Sequence, residues 1–370
     1  MSLISVILPV IGGNQYIEPC LKSILNSTYR KLEVIIVSNN IEEIKRITEL
    51  EYGNNIIYAE TNNVNIVEAR NIGIKYSRGD LIAIMDVKDI TGKMRLELEV
   101  LKLTQNENTG MAFCGMTFIN DMGNFLKGVK LFPKYEKNKF LGLMYEKNRI
   151  DSISTTIIKR EVIDNIGLFD EELMYYSEYE FWLRIARKYQ VEYLDLPLLR
   201  FRTDVQNYID NFESGLKEKE DQKVLLKHDA GEIAQSISRI YDNEEEFRLS
   251  LGSVLYRMGK KDDAMKNFRK VLSLNSQNGQ AHFMIGNCYF DSGQYKEAKI
   301  YYEESLSLNP KHAECRNNFG VLLFREGEEE WSIEEFKKAQ RLKENYLDPI
   351  FNLECMKCKK SFNDMKITDF

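Results

Sequence analysis

Histidine is scarce in this chain. There are three, at 228, 282 and 312, so the first 227 residues offer no imidazole for catalysis or metal binding. Glycine-rich phosphate loops are missing: no GxGxxG follows the first strand candidate and no GxxxxGK[ST] occurs anywhere, which removes the main support for dinucleotide and P-loop readings. Basic excess is absent as well. With 51 Lys and Arg against 57 Asp and Glu the net charge is −6, which argues against a general nucleic-acid binder. No apolar run approaches the length of a membrane span. Leu3–Leu8 is too short for a signal sequence, lacks a basic start and is stopped by Pro9. The six cysteines, at 20, 114, 288, 315, 355 and 358, are scattered. They make no disulfide framework, and the expected home is the reducing cytoplasm. Cys355-Met-Lys-Cys358 is a lone CxxC and reads as two half-buried helix cysteines.

What is present begins with alternation. Strand candidates at Leu3–Val10, Leu32–Val37, Asn55–Ala59 and Leu81–Met85 alternate with helical patterns at 16–25, Ile41–Leu50 and Val64–Tyr76. That pitch predicts a mostly parallel sheet with right-handed crossovers. Ligands of such sheets bind outside the carboxyl strand ends. Those ends bring together Pro9-Val10, Ser38-Asn39-Asn40, Glu60-Thr61 and the charged run Asp86-Val87-Lys88-Asp89. Farther on, strands are expected at Met111–Ile119, Phe125–Val129, Ser154–Ile158 and Tyr193–Leu196. Helices are expected at Met94–Leu103, Phe140–Tyr145, Lys159–Ile166 and 176–189.

The opening Ile4-Ser-Val-Ile-Leu-Pro-Val10, the helix Glu68-Ala-Arg-Asn-Ile-Gly-Ile74, the run 79–89, Ile166-Gly-Leu-Phe-Asp-Glu171 and Glu178-Tyr-Glu-Phe-Trp-Leu-Arg184 follow one another in an order that resembles family-2 glycosyltransferases of the GT-A fold. The resemblance covers about residues 3–203. It implies inverting transfer of a sugar from a nucleotide-diphosphate sugar to a glycan or protein acceptor, with Glu178 in the place of the catalytic base. It places Pro9, Val10, Ser38, Asn39, Arg70, Asp86 and Lys88 around the donor, and Asp86 and Asp89 at a Mg²⁺ or Mn²⁺ site. The sequence departs from the family at the nucleotide, metal and base motifs, while Arg70, Asp86, Asp89 and Glu178 keep family-like types. Ser38-Asn39 replaces an acidic pair, Ser177-Glu178 replaces Glu-Asp, and Lys88 stands where a metal-binding carboxylate is usual. The stretch 199–203 lacks the histidine that often assists the metal. Lys88 can set a fixed positive charge against the diphosphate and so make donor binding metal-independent. The alternative is a catalytically degenerate fold serving as a scaffold or protein-interaction module.

Beyond residue 245 the chain repeats. Gly252, Gly286 and Gly320 are spaced by 34 residues. Gly259, Gly293 and Gly327 keep the same period, as do Phe268, Tyr302 and Phe336. This is the tetratricopeptide pattern, in which helix pairs stack and offer a groove to a protein or peptide. The expected organisation is an α/β GT-A domain at 1–203, a charged helical connector at 204–245, and an all-α repeat domain at 246–370. The three repeats fall at about 246–278, 279–312 and 313–346, capped by a helix at Leu347–Lys359. The whole reads as a bacterial-type enzyme without a transmembrane segment.

Overall fold

The computed structural model describes residues 1–12, 14–52, 56–62, 65–203, 216–343, 346–358 and 361–368. The chain forms two compact units, Met1–Asp229 and Ala230–Phe370. No helix among the described residues is long and apolar enough to cross a membrane.

The first unit is built on a nine-stranded sheet. Its strands are β1 (Ile4–Val10), β2 (Leu32–Ser38), β3 (Ile56–Glu60), β4 (Leu81–Ile84), β5 (Ile90–Thr91), β6 (Thr109–Ile119), β7 (Phe125–Lys130), β8 (Thr156–Lys159) and β9 (Gln190–Arg202). The order is β3-β2-β1-β4-β8-β6-β9-β5, with β7 paired to β6. β3, β2, β1 and β4 run parallel, whereas β8 pairs antiparallel with both β4 and β6. Every residue of β1 and of β4 is buried. Branched side chains there pack against helices on both faces, the usual condition of a parallel sheet. Helices α1 (Ile17–Leu25), α2 (Ile41–Tyr52) and α3 (Ile66–Tyr76) make the early crossovers. Asn65 caps α3, its Oδ1 accepting the Val67 N–H at 2.9 Å. α3 crosses β1 so closely that a Cβ on Gly73 would lie 2.3 Å from Ile7 Cγ2.

Helices α4 (Arg95–Thr104), α5 (Phe140–Glu146), α6 (Arg160–Ile166), α7 (Ser177–Lys188) and α8 (Leu216–Leu226) complete the unit. The sequence reading places one connector at 204–245, but the chain divides inside that stretch, and α8 belongs to the first unit. Glu220 of α8 accepts the backbone N–H groups of Met174, Tyr175 and Tyr176 at 2.7–3.0 Å. Just after α8, His228 Nδ1 lies 3.1 Å from the Tyr145 hydroxyl. Residues 204–215 of that stretch lie outside the described residues.

The second unit is all helical. α9 (Ala230–Ser238) precedes three pairs: α10 (Glu244–Arg257) with α11 (Lys261–Leu274), α12 (Gly279–Asp291) with α13 (Tyr295–Leu308), and α14 (Ala313–Arg325) with α15 (Glu329–Leu342). α16 (Leu347–Lys357) follows. The two glycine series have separate reasons. Gly259, Gly293 and Gly327 take φ of 74°, 72° and 86° in the turns inside each pair, a region that glycine enters without steric cost. Gly252, Gly286 and Gly320 let the paired helices touch: a Cβ on Gly286 would lie 2.5 Å from the buried Tyr302 ring. Of the CxxC cysteines, Cys355 is buried and Cys358 exposed.

Candidate active site

Register brings the carboxyl ends of four strands to one edge of the sheet. Val10 pairs with Ser38, and Ser38 with Glu60. Met85, just past β4, donates its N–H to the Ile7 carbonyl at 2.9 Å. The residues expected around the donor differ in what they expose there. Pro9 and Val10 are buried wall. The Ser38 hydroxyl is 1% exposed and accepts the Asn40 N–H at 3.1 Å, so it shapes the turn into α2. Asn39 is exposed beside it, with amide donor and acceptor free to meet a ligand edge.

The loop after β4 is held from below. The Asp86 N–H donates to Ser154 Oγ at 2.8 Å, and Asp86 Oδ1 accepts the Lys88 N–H at 2.9 Å. The Asp86 carbonyl accepts the Asp89 N–H at 3.0 Å, closing a tight turn. Asp86 is left exposed and Lys88 half-buried. Asp89 behaves otherwise. The resemblance makes it a metal ligand, but its side chain is 1% exposed and its Oδ1 accepts the Arg202 N–H at 3.1 Å. Burial, then the charge of Asp86, pushes its carboxyl up to about 7 against the pull of Ser154 and Arg202. Asp89 therefore buttresses the loop from inside.

This donor set does not fit a resident divalent ion. Mg²⁺ and Mn²⁺ want several hard oxygens around them. The loop turns one carboxylate outward and places an ammonium two residues on. Among the described residues no three His, Cys, Asp or Glu side chains gather closely enough to hold a metal.

Arg202 is a site residue that the sequence reading missed. At the end of β9 it is 7% exposed. Its Nε donates to the Lys88 carbonyl at 2.9 Å, and its Nη1 donates to the carbonyls of Asn120 and Asp121 at 2.5 and 2.7 Å. Its guanidinium lies 4.6 Å from the Tyr16 ring. One side chain thus ties the Lys88 loop to the turn between β6 and β7. The legible signal was a second arginine in Leu199-Arg-Phe-Arg-Thr203, a stretch conspicuous for its missing histidine.

The second cluster joins α3 to α7. Arg70 Nη2 lies 2.7 Å from Glu178 Oε1, with side-chain exposures of 8% and 24%. Arg70, placed around the donor by the family resemblance, therefore pairs with Glu178. Asn71, the next residue, clamps the loop before α7. Its Oδ1 accepts the Phe169 N–H at 3.0 Å, and its Nδ2 donates to the Phe169 carbonyl at 2.9 Å and to Glu171 at 2.8 Å. Phe169 stacks on Phe181 at 4.0 Å. Glu180 is committed elsewhere, 2.8 Å from Arg184 and 3.5 Å from Lys227. Trp182 is fully buried core. Of the two carboxylates in the first turn of α7, Glu178 is the one left partly open.

The family model described as "Glycosyl transferase family 2" matches residues 5–167, and tetratricopeptide-repeat models match 245–278 and 279–312. The O-antigen biosynthesis glycosyltransferase WbnJ of Escherichia coli is 31% identical over 199 residues, which span 51% of this chain and 73% of WbnJ. The chain belongs to glycosyl transferase family 2. Uncharacterized glycosyltransferases of Rickettsia prowazekii and Rickettsia typhi are 27% and 29% identical over 221 and 199 residues. The matches span 59% and 53% of this glycosyltransferase and 70% and 62% of theirs. Among solved structures, S. aureus TarS 1-349 in complex with UDP-GlcNAc superposes loosely, with a TM-score of 0.49 and 15% identity over 88% of this chain and 92% of that one. The family model ends at 167, before α7, so Glu178 and Arg202 both lie beyond it. The chain is a GT-A-type mixed-sheet unit followed by a tetratricopeptide-repeat unit.

Proposed function

We propose that this glycosyltransferase moves a sugar from a nucleotide-diphosphate donor to an acceptor hydroxyl with inversion at the anomeric carbon. In this reading the acceptor oxygen bonds to the anomeric carbon as the bond to the diphosphate breaks. Glu178 takes the acceptor's proton, and the diphosphate leaves with the electron pair. The nucleotide lies along Pro9, Val10, Ser38 and Asn39. The Lys88 ammonium meets the diphosphate charge as it develops, with Asp86 orienting the loop and Arg202 fixing it from behind. Arg70 holds Glu178 in place.

The observation that carries this reading is the Arg70–Glu178 pair. Two segments that resemble separate family motifs meet, 108 residues apart, through a guanidinium and a carboxylate that is still about a quarter exposed. The name of WbnJ supports a glycan as acceptor, and the repeats support a protein or peptide partner. Six free cysteines support a reducing compartment, the cytoplasm. One observation favours the scaffold alternative: Asp89 is turned away from solvent, as a site out of use would allow. Incubating the full chain with UDP-, GDP- and dTDP-sugars and following nucleoside diphosphate release separates the two. Release that falls in Glu178→Gln supports the enzyme. Donor binding with no release under any condition supports the scaffold.

A further inference from the structure

Four asparagines lie on the first helices of the second and third repeats and on the helix that follows them, and all four are fully buried: Asn287 on α12, Asn317 and Asn318 on α14, and Asn352 on α16. Buried amides demand partners. Here the partners come largely from the segment 361–368, and chiefly from its backbone. Asn318 grips Thr368 in both directions, its Oδ1 accepting the N–H at 2.7 Å and its Nδ2 donating to the carbonyl at 2.8 Å. Asn287 Nδ2 donates to the same carbonyl at 3.2 Å. Asn352 grips Lys366 in the same two-way fashion at 2.7 and 2.8 Å, and Asn317 Nδ2 donates to the Lys366 carbonyl at 3.0 Å. Side chains add selectivity. The Thr368 hydroxyl meets Tyr346 and Asp348. Met365, Ile367 and Phe362 pack with Val321, Phe336 and Phe324.

A helical cap needs only an apolar face. A rank of amides reading alternate peptide units is instead the chemistry of a receptor for an extended chain. We propose that this groove is a peptide-binding site which the chain's own segment 361–368 fills as a displaceable ligand. Within the segment, Phe362–Asp364 forms one 3-10 turn capped by Ser361, and only the residues after it run extended. The partner it fits is therefore a peptide with an aromatic residue in a capped turn, followed by an extended stretch with two apolar residues at alternate positions and a Ser or Thr after the second. The tether makes the internal segment a strong competitor, since a short link gives an effective concentration in the millimolar range. Occupancy by a partner is therefore lowered until the segment is released, as for any site whose competent state is a minor population. None of this depends on what the first unit catalyses.

The test uses the full chain and a fluorescent peptide of sequence SFNDMKIT. Lys366→Pro with Thr368→Pro removes both N–H donors from the internal segment. The peptide is expected to bind this variant at least roughly tenfold more tightly than wild type. Adding Asn318→Ala should lose most of that binding, and a scrambled peptide should not bind. A folded double variant that ignores the peptide overturns the proposal. Should the variant not fold, hydrogen exchange in the wild-type chain decides. The Lys366 and Thr368 amides are expected to open on their own, roughly 100-fold more often than those of α14. Exchange of these amides only together with α14 makes the segment an integral part of the fold and overturns the proposal.

Discussion

Arg70 and Glu178 form a salt bridge of 2.7 Å that joins the middle of one helix to the first turn of another. The arginine is nearly buried and the glutamate is not. The pair therefore points the carboxylate while leaving one side of it open. Charge-assisted pairs of this kind fix geometry as well as contributing energy.

If Glu178 deprotonates the acceptor, Glu178→Gln keeps the side chain's shape and loses the base. Turnover should fall by about 10²–10⁴-fold, with donor affinity nearly unchanged. Steady-state kinetics beside a binding isotherm measures both. Unchanged turnover would remove Glu178 from the mechanism.

Arg70→Met tests the positioning role. The variant should lower kcat by at least about tenfold while KM for the donor changes little, because the carboxylate is still present but no longer aimed. Arg70→Lys should recover part of the loss. A change confined to KM would put Arg70 in donor binding alone.

The stretch 216–229 is predicted to unfold with the first unit, and His228 reports on it. Burial, followed by the charges of Arg187 and Lys227, lowers its pKa to about 4. Above its unfolded value of about 6.5 the imidazole is neutral in both states. As pH falls through 6.5 toward 4 the unfolded chain takes up a proton that the folded one refuses, so stability is lost on the acid side. Burial raises the Asp89 and Glu99 carboxyls to about 7, and these act in the opposite direction over the same range. The readout is therefore a difference: in melting curves of the 1–229 fragment, wild type should lose stability relative to His228→Gln as pH falls from 6.5 to 4. An identical slope in both would mean that the residue is not buried in solution.

Much of this was legible because period carries it. The first four strands, α3 and the three repeats follow from alternation and from glycines 34 residues apart. Partner-dependent features were not legible. β5 is two residues long and exists only because β9 runs beside it, and β9 extends from Gln190 to Arg202 where only Tyr193–Leu196 was expected. That extension carries Arg202 to the Lys88 loop. The family resemblance implies that Asp89 is a ligand, but a turn closed by the Asp86 carbonyl sends its side chain inward. The segment 361–368 has no period, so its place against the asparagines could not be foreseen.

Gly286→Ala tests the repeat packing. The new methyl would meet the Tyr302 ring, which is fully buried and donates its hydroxyl to Asn287 Oδ1 at 2.8 Å. Overpacking of this kind costs about 1–3 kcal/mol. Thermal unfolding of a repeat-unit fragment should therefore shift down by several degrees. No shift would mean that the two helices stand farther apart than described.

The central claim is that Lys88 stands in for a metal at the diphosphate. Calorimetry of UDP-, GDP- and dTDP-sugars against wild type and Lys88→Ala, in EDTA and in Mn²⁺, tests it most directly. The account predicts that wild type binds at least one donor in EDTA, gains little from Mn²⁺, and weakens as salt rises. Lys88→Ala should bind that donor about tenfold or more less tightly. Donor binding that appears only with Mn²⁺, together with equal affinity in Lys88→Ala, would contradict it.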